Sequence, residues 1–182
     1  MAAPAQPARA APKKNKKKQK QKKANPIAID VLVESARWNG FANAAAIVRR
    51  AVKEAAAALS TPRAELAIVL SDDSAVRELN RTWRGIDAAT NVLSFPAMRT
   101  SGNPLLLGDI VLACETVAAE AGTQRKPFSH HLAHLAVHGF LHLLGYDHES
   151  NEDAAAMEQL ERNILQRLAI SDPYRRPAKG RN

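Results

Sequence analysis

The chain has 182 residues, a length that suits one compact domain with its own hydrophobic core and argues against two domains. Its formal net charge of +8 is unevenly distributed, because nine of its 26 lysines and arginines lie in residues 1–24, which contain no acidic residue. The rest of the chain contains 17 basic and 18 acidic side chains, so its charges nearly balance. The excess positive charge therefore belongs to the N-terminal tail and does not by itself make the folded part a nucleic-acid-binding domain.

Residues 1–25 are predicted to form a disordered, lysine-rich tail, since they contain no apolar run and so match neither a secretory signal nor a membrane span. Two interpretations stay open: a solubilising extension, or a tail that adds electrostatic affinity for RNA through Lys16, Lys17 and Lys18. The one cysteine, Cys114, excludes an intramolecular disulfide and is expected to be a small buried side chain. A single cysteine fits a reducing compartment, and we expect the protein to be cytoplasmic.

The first half of the domain alternates strands and helices. Residues 27–33 are rich in β-branched side chains and predict a strand, and residues 43–59 have helical periodicity and many alanines. A second apolar strand is predicted over 64–71, followed by a helix over 72–84 that opens with acidic cap residues. Trp83, near the end of that helix, is expected to pack against other residues of the domain.

The second half is predicted to contain two more strands and three helices. A turn leads into a short apolar stretch that Pro96 ends, and residues 104–113 form a buried strand. Helices are predicted over 115–122, 127–144 and 151–168. The helix over 127–144 is the most apolar, with these core positions: Phe128, Leu132, Leu135, Phe140, Leu141 and Leu144.

This order of elements predicts an α+β (mixed α/β) fold, with a small mixed four-stranded sheet packed against about five helices. We expect a single domain over residues 26–170 and a flexible C-terminal end over 171–182.

The chemistry-bearing motif is "HGFLHLLGYDH", residues 138–148. His138 and His142 are four residues apart and so share one face of the apolar helix, as in zinc hydrolases. Gly145 falls where the helix must stop, and its tolerance of positive φ lets the chain return with His148 as a third ligand. Three nitrogens leave a fourth position for water, which is typical of a catalytic zinc site with one Zn²⁺ per chain.

Two other histidines, His130 and His134, extend the same four-residue spacing. Because such a row drifts by about 40° per step, His130 is predicted to face away from the metal, whereas His134 stays a possible neighbour. In zinc peptidases a catalytic glutamate follows the first ligand, and here that position is Gly139. A metzincin-like metalloprotease is therefore the weaker interpretation, unless another carboxylate such as Glu115 is brought in by the fold.

The motif resembles the signature of the YbeY endoribonucleases, and the resemblance extends through "LNRTWRGIDAATNVLSFP" and "LGDIVLACETV" to cover most of residues 65–168. It implies a single-strand-specific, zinc-dependent endoribonuclease of ribosome biogenesis and quality control that matures the 3′ end of 16S ribosomal RNA. The implied partners are a ribosomal RNA precursor and the small ribosomal subunit with its assembly factors. The resemblance assigns His138, His142 and His148 as zinc ligands and Arg84 as a functional arginine.

The sequence departs from the family pattern at Ala89 and Asn91, where the family typically has proline and aspartate, so a carboxylate is lost from this loop. Asp147 is a candidate for orienting a ligand imidazole, or it closes an Asx turn, and the sequence does not separate these roles.

Phosphodiester cleavage explains a zinc site without a glutamate. Zinc lowers the pKa of bound water towards about 7, and the remaining demand is for charge stabilisation on the phosphoryl oxygens. A guanidinium meets this demand, and because the resemblance assigns Arg84 a functional role, we predict Arg84 and His138 as catalytic residues. Without the resemblance, Arg84 is better explained as an exposed arginine near the carbonyl groups of a helix end. We expect a glutamate placed at Gly139 to lie beside the RNA phosphate. A non-catalytic ribosome-assembly factor stabilised by zinc is the alternative from another functional class.

Overall fold

The computed structural model describes residues 27–98 and 106–175. Four strands and five α-helices occur in these residues, as predicted, and a short 3-10 helix that the sequence analysis did not identify spans Ala36–Gly40. In chain order the regular elements are β1 (Ala28–Val33), α1 (Ala44–Ala58), β2 (Glu65–Ser71), α2 (Asp73–Arg84), β3 (Val92–Pro96), β4 (Leu106–Ala113), α3 (Cys114–Thr123), α4 (Phe128–Leu143) and α5 (Asn151–Arg167). The lysine-rich tail, with Lys16, Lys17 and Lys18, lies outside the described residues.

The strands form one mixed sheet in the order β1-β2-β4-β3. The first three of these pair in parallel, as their helical crossovers allow, whereas β3 pairs antiparallel with β4 and is an edge strand. The predicted α+β class with a small mixed sheet is thus confirmed.

Helices cover both faces of the sheet near β3. Successive residues of a strand point to opposite faces, and β3 shows this directly. Ser94 donates a hydrogen bond to the carbonyl oxygen of Gly139 in α4, at 3.1 Å. Its neighbour Leu93 is fully buried in the cluster that contains Val76 of α2. The helices α4 and α2 therefore lie on opposite faces of this edge strand.

Helix α4 is the central helix of the larger core, where it packs against α1, α3, α5 and the sheet. Four of its predicted core residues are buried, and Phe128 and Leu144 are partly buried against the same cluster. Cys114 is buried as expected, and burial raises the pKa of its thiol to about 11.

The prediction that Trp83 packs is wrong for most of its side chain. Its side chain is 71% exposed, and its ring meets Phe95 edge-on with 6.2 Å between the centroids. Because β3 is the edge of the sheet, no further strand of the described residues extends beyond Phe95 to cover the indole.

Candidate metal centre

The turn after α4 carries the third histidine back towards the first two. Gly145 has φ +90°, a conformation that favours glycine, and its N–H donates to the carbonyl oxygen of His142 at 3.0 Å. The N–H of Tyr146 donates to Leu141 at 3.1 Å, so two carbonyl groups at the helix end are satisfied. The predicted role of Gly145 as a helix stop with positive φ is confirmed.

The structure brings His138, His142 and His148 together, with one nitrogen from each ring within 4.8 Å of the other two. The Nε2 atoms of His138 and His142 are 3.0 Å apart. The ring centroid of His148 lies 5.7 Å from that of His138 and 5.1 Å from that of His142. His148 is exposed, whereas the other two rings are partly buried, so the cluster is accessible from the side of His148.

This donor set fits a metal ion. Two nitrogens bound to one tetrahedral ion at about 2.0–2.1 Å lie roughly 3.3 Å apart, close to the spacing between His138 and His142. Burial lowers the pKa of His142, and the neighbouring His138 and His148 lower it further, so the neutral imidazole that a metal requires is favoured. Three imidazole nitrogens suit zinc and other divalent transition metals better than they suit magnesium or calcium.

A carboxylate on α5 orients the first histidine. The side chain of Glu161 is 0% exposed, and its Oε1 accepts a hydrogen bond from Nδ1 of His138 at 2.7 Å. Because Nδ1 carries the hydrogen, the lone pair of the ring is on Nε2, which faces the other two histidines. Oε2 of the same carboxylate accepts from Nε2 of His134 at 2.9 Å. Burial alone would raise the pKa of Glu161, but the hydrogen bonds with His134 and His138 outweigh it and lower the pKa to about 2.

Sequence analysis did not identify Glu161, although a signal was present. In α5 the buried residues Met157, Glu161, Ile164 and Leu165 share one face at helical spacing. An acidic residue at a core-facing position of an amphipathic helix requires a partner and is therefore a candidate for a role in a site. Asp147, which was considered for this role, accepts from the backbone N–H of His148 at 2.8 Å.

The remaining histidines of α4 lie outside the cluster of three. His134 binds Glu161 as described, and the buried His131 is bonded through Nε2 to Glu120 at 2.7 Å. His130 lines a cavity of about 630 Å³ between the start of α4 and residues 170–175. The four-residue row therefore divides into two histidines that belong to the cluster of three and two that lie outside it.

Gly139 faces the sheet. A Cβ atom at this position would be 2.9 Å from Cγ2 of Ile110 and 3.1 Å from Oγ of Ser94. The expectation that a glutamate at this position would lie beside an RNA phosphate is wrong, because its side chain would have to enter the contact between α4 and the strands. The glycine is thus required by close packing, and the peptidase base cannot occupy this position.

Arg84 belongs to α2, the helix that packs on the opposite face of β3 from α4. It is the last residue of α2, is exposed, and precedes Gly85, which has φ +72°. Within residues 27–98 and 106–175, the guanidinium of Arg84 has no hydrogen-bond or ion-pair partner, whereas its helix neighbours Arg77 and Arg81 pair with Asp87 and Glu78. The structure therefore gives Arg84 a free guanidinium among the described residues, but no described hydrogen bond links it to the histidines.

The loop that departs from the family pattern has a structural role at Asn91. Its Nδ2 donates to both carboxylate oxygens of Glu120, at 3.1 and 2.9 Å, and its Oδ1 accepts from the N–H of Val92 at 2.7 Å. An aspartate here would place a second carboxylate against Glu120. The amide thus matches its partner, and nothing in the structure explains Ala89.

Comparison with known proteins places the chain in a family. Residues 33–169 match the family model described as Endoribonuclease YbeY. The chain belongs to the YbeY endoribonuclease family. It is 54% identical over 156 residues to the endoribonuclease YbeY of Rhodopseudomonas palustris strain BisA53, which covers 82% of this chain and 91% of that one. It is also 54% identical over 155 residues to the YbeY of Nitrobacter hamburgensis, which covers 81% of this chain and 82% of that one.

Two further comparisons concern a more distant YbeY sequence and a solved structure. The YbeY of Bradyrhizobium diazoefficiens is 50% identical over 153 residues, covering 80% of this chain and 84% of that one. A Thermotoga maritima protein solved in solution is 26% identical with a TM-score of 0.47, covering 81% of this chain and 99% of that one.

In the described part of the chain, no helix is both long and apolar enough to cross a membrane.

Proposed function

We propose that this protein is a zinc-dependent, single-strand-specific endoribonuclease that matures the 3′ end of 16S ribosomal RNA in ribosome biogenesis and quality control. The observation that carries the proposal is the open cluster of three imidazoles whose first member is held in one tautomer by the buried Glu161. Three protein ligands with a free fourth position are typical of catalytic zinc, whereas structural zinc sites are closed and usually contain cysteine.

In this proposal, side chains of the protein hold the metal ion and orient its ligands. His138, His142 and His148 hold the ion, and Glu161 keeps the hydrogen of His138 on Nδ1. When bound, the ion supplies Lewis acidity and lowers the pKa of a coordinated water. Because Gly139 packs against Ile110, no residue at that position can pass a proton to a leaving amine, and this supports phosphodiester over peptide cleavage.

Arg84 and Trp83 support a role for the end of α2 in binding RNA. A guanidinium without a carboxylate partner among the described residues can donate hydrogen bonds to two phosphoryl oxygens at once. The adjacent indole is 71% exposed and presents a π-face on which an unpaired base can stack. The exposed indole favours a single strand over a duplex, whose bases are already stacked.

The partners follow from the same proposal. We place the protein in the cytoplasm with a ribosomal RNA precursor and the small ribosomal subunit with its assembly factors. Lys16, Lys17 and Lys18 are proposed to add salt-dependent affinity for RNA. Removing residues 1–24 should then weaken RNA binding and flatten its salt dependence, with little change in turnover at saturating RNA.

The test is cleavage of a hairpin RNA with single-stranded overhangs by the purified full chain, with and without a chelator and after zinc is added back. We expect cleavage within the overhangs, loss of cleavage with chelator, recovery with zinc, and an intact stem. Zinc binding without cleavage would instead favour a non-catalytic assembly factor. Chelator-sensitive hydrolysis of casein by the same preparation would favour a metalloprotease.

A further inference from the structure

The segment after α5 folds back onto the buried carboxylate of that helix. Ala169 has φ +59°, and the N–H of Ile170 donates to Leu165 at 2.9 Å, so the chain reverses direction there. The hydroxyl of Tyr174 then donates a hydrogen bond to Oε2 of Glu161. We propose that Tyr174 is a positioning residue of the metal centre, acting through Glu161 on His138.

Several contacts hold this segment in place. Nζ of Lys126 donates to the carbonyl oxygen of Pro173 at 2.6 Å, and the N–H of Tyr174 donates to Oδ1 of Asp172 at 2.9 Å. Cζ of Arg162 lies 4.9 Å from the centre of the Tyr174 ring, and Nε of the same residue lies 3.5 Å from Oδ1 of Asp172. The tyrosine is therefore fixed from both sides of the segment, so its hydroxyl has a defined direction.

The hydroxyl completes the set of donors around Glu161. Oε1 is bonded to His138, while Oε2 is bonded to both His134 and Tyr174. A carboxylate that is 0% exposed depends on such donors, because each one lost leaves a buried charge less compensated. With Oε2 held by two donors, the carboxylate cannot turn away from His138 without breaking both bonds.

The chemistry of the phenol suits this role. A tyrosine hydroxyl keeps its proton near neutrality because its ordinary pKa is about 10, and burial and the adjacent carboxylate of Glu161 raise the pKa of Tyr174 further. It can then only donate towards the carboxylate. A fixed Glu161 in turn keeps the Nδ1–H form of His138, in which Nε2 is free for the ion.

This inference rests on the metal site of the proposed function, but its test does not need RNA cleavage. In zinc-free full-length protein, nitrogen NMR of the imidazoles reports which nitrogen of His138 carries the hydrogen. We expect Tyr174→Phe to reduce the Nδ1–H population of His138 and to weaken zinc binding by about 10-fold. Competition with a chelating dye measures the zinc affinity of the same preparations.

Two comparisons separate positioning from general destabilisation. Asp72→Ala removes the N-cap of α2, away from the metal centre, and should lower the melting temperature without changing the tautomer or the zinc affinity. In a Glu161→Gln background, adding Tyr174→Phe should cause little further loss of zinc affinity, because the two residues act in one chain of contacts.

The outcomes are distinct. An unchanged His138 tautomer in Tyr174→Phe would overturn the inference, and so would a loss of zinc affinity equally large with and without Glu161. A protein that binds zinc as expected but does not cleave RNA would contradict the proposed function and leave the role of Tyr174 supported.

Discussion

His138 and Glu161 form a hydrogen bond of 2.7 Å between Nδ1 and Oε1, linking a proposed metal ligand on α4 to a fully buried carboxylate on α5. Replacing Glu161 with glutamine keeps the volume but removes the charge that accepts from two imidazoles. We expect zinc affinity to fall by about 10- to 100-fold, since partners of this kind typically contribute that much. Competition with a chelating dye at fixed pH measures the zinc affinity of this variant. An affinity equal to that of the parent would show that Glu161 does not contribute to the site.

The second prediction concerns the ligand set. His142→Ala should lower the zinc content of the purified protein sharply, because two nitrogens remain where three are needed. His130→Ala is the matched control on the same helix, and it should retain full zinc because His130 does not belong to the cluster of three histidines. Metal analysis of both variants decides the matter, and full zinc in His142→Ala would refute the assignment.

Gly139→Ala tests the close approach of α4 to the sheet. The added methyl would be 2.9 Å from a branch of the buried Ile110, and overpacking of this kind costs about 1–3 kcal/mol. Alanine gains about 1 kcal/mol of helix propensity, so the net effect should be a loss of about 1 kcal/mol in the free energy of unfolding.

Gly122→Ala in α3 is the control for this substitution, since no heavy atom lies within 4 Å of its added Cβ. That variant should be slightly more stable than the parent. Urea unfolding of the two variants measures the difference, and equal stabilisation of both would show that Gly139 is not closely packed.

The fourth prediction concerns Arg84. Arg84→Ala should keep full zinc yet cleave RNA about 10²- to 10³-fold more slowly, because it removes a charge that stabilises the phosphoryl oxygens and not a ligand. Arg84→Lys should recover only part of the activity, as an ammonium cannot make the planar two-point contact. Arg81→Ala, on the same helix and paired with Glu78, is the control. Undiminished cleavage by zinc-loaded Arg84→Ala would exclude the arginine from the mechanism.

Asn91→Asp restores the family's aspartate and should destabilise this chain. It replaces the amide that donates to Glu120 with a second carboxylate, at an expected cost of about 2 kcal/mol near neutral pH. Like charges raise each other's pKa, so the deficit should grow as the pH rises from about 4, where carboxyl groups begin to ionise, towards 7. Thermal unfolding across this range tests it. A deficit independent of pH would point to lost hydrogen bonds and not to charge repulsion.

The sequence by itself determined the elements and the cluster of three histidines, because both depend on local spacing. Apolar periodicity located all four strands and five α-helices of the described residues within a few positions. The spacing of His138 and His142, with Gly145 after them, required only a helix and a turn to bring three imidazoles together.

Only the tertiary structure decided what surrounds these residues. Glu161 follows His138 by 23 positions and Tyr174 follows by 36, and their contact depends on how α5 and the following segment pack against α4. Trp83 is exposed because its helix meets the edge strand, and Gly139 is required because Ile110 of β4 lies beside it. These relationships join residues far apart in the chain, and local periodicity carries no information about which distant side chains will meet.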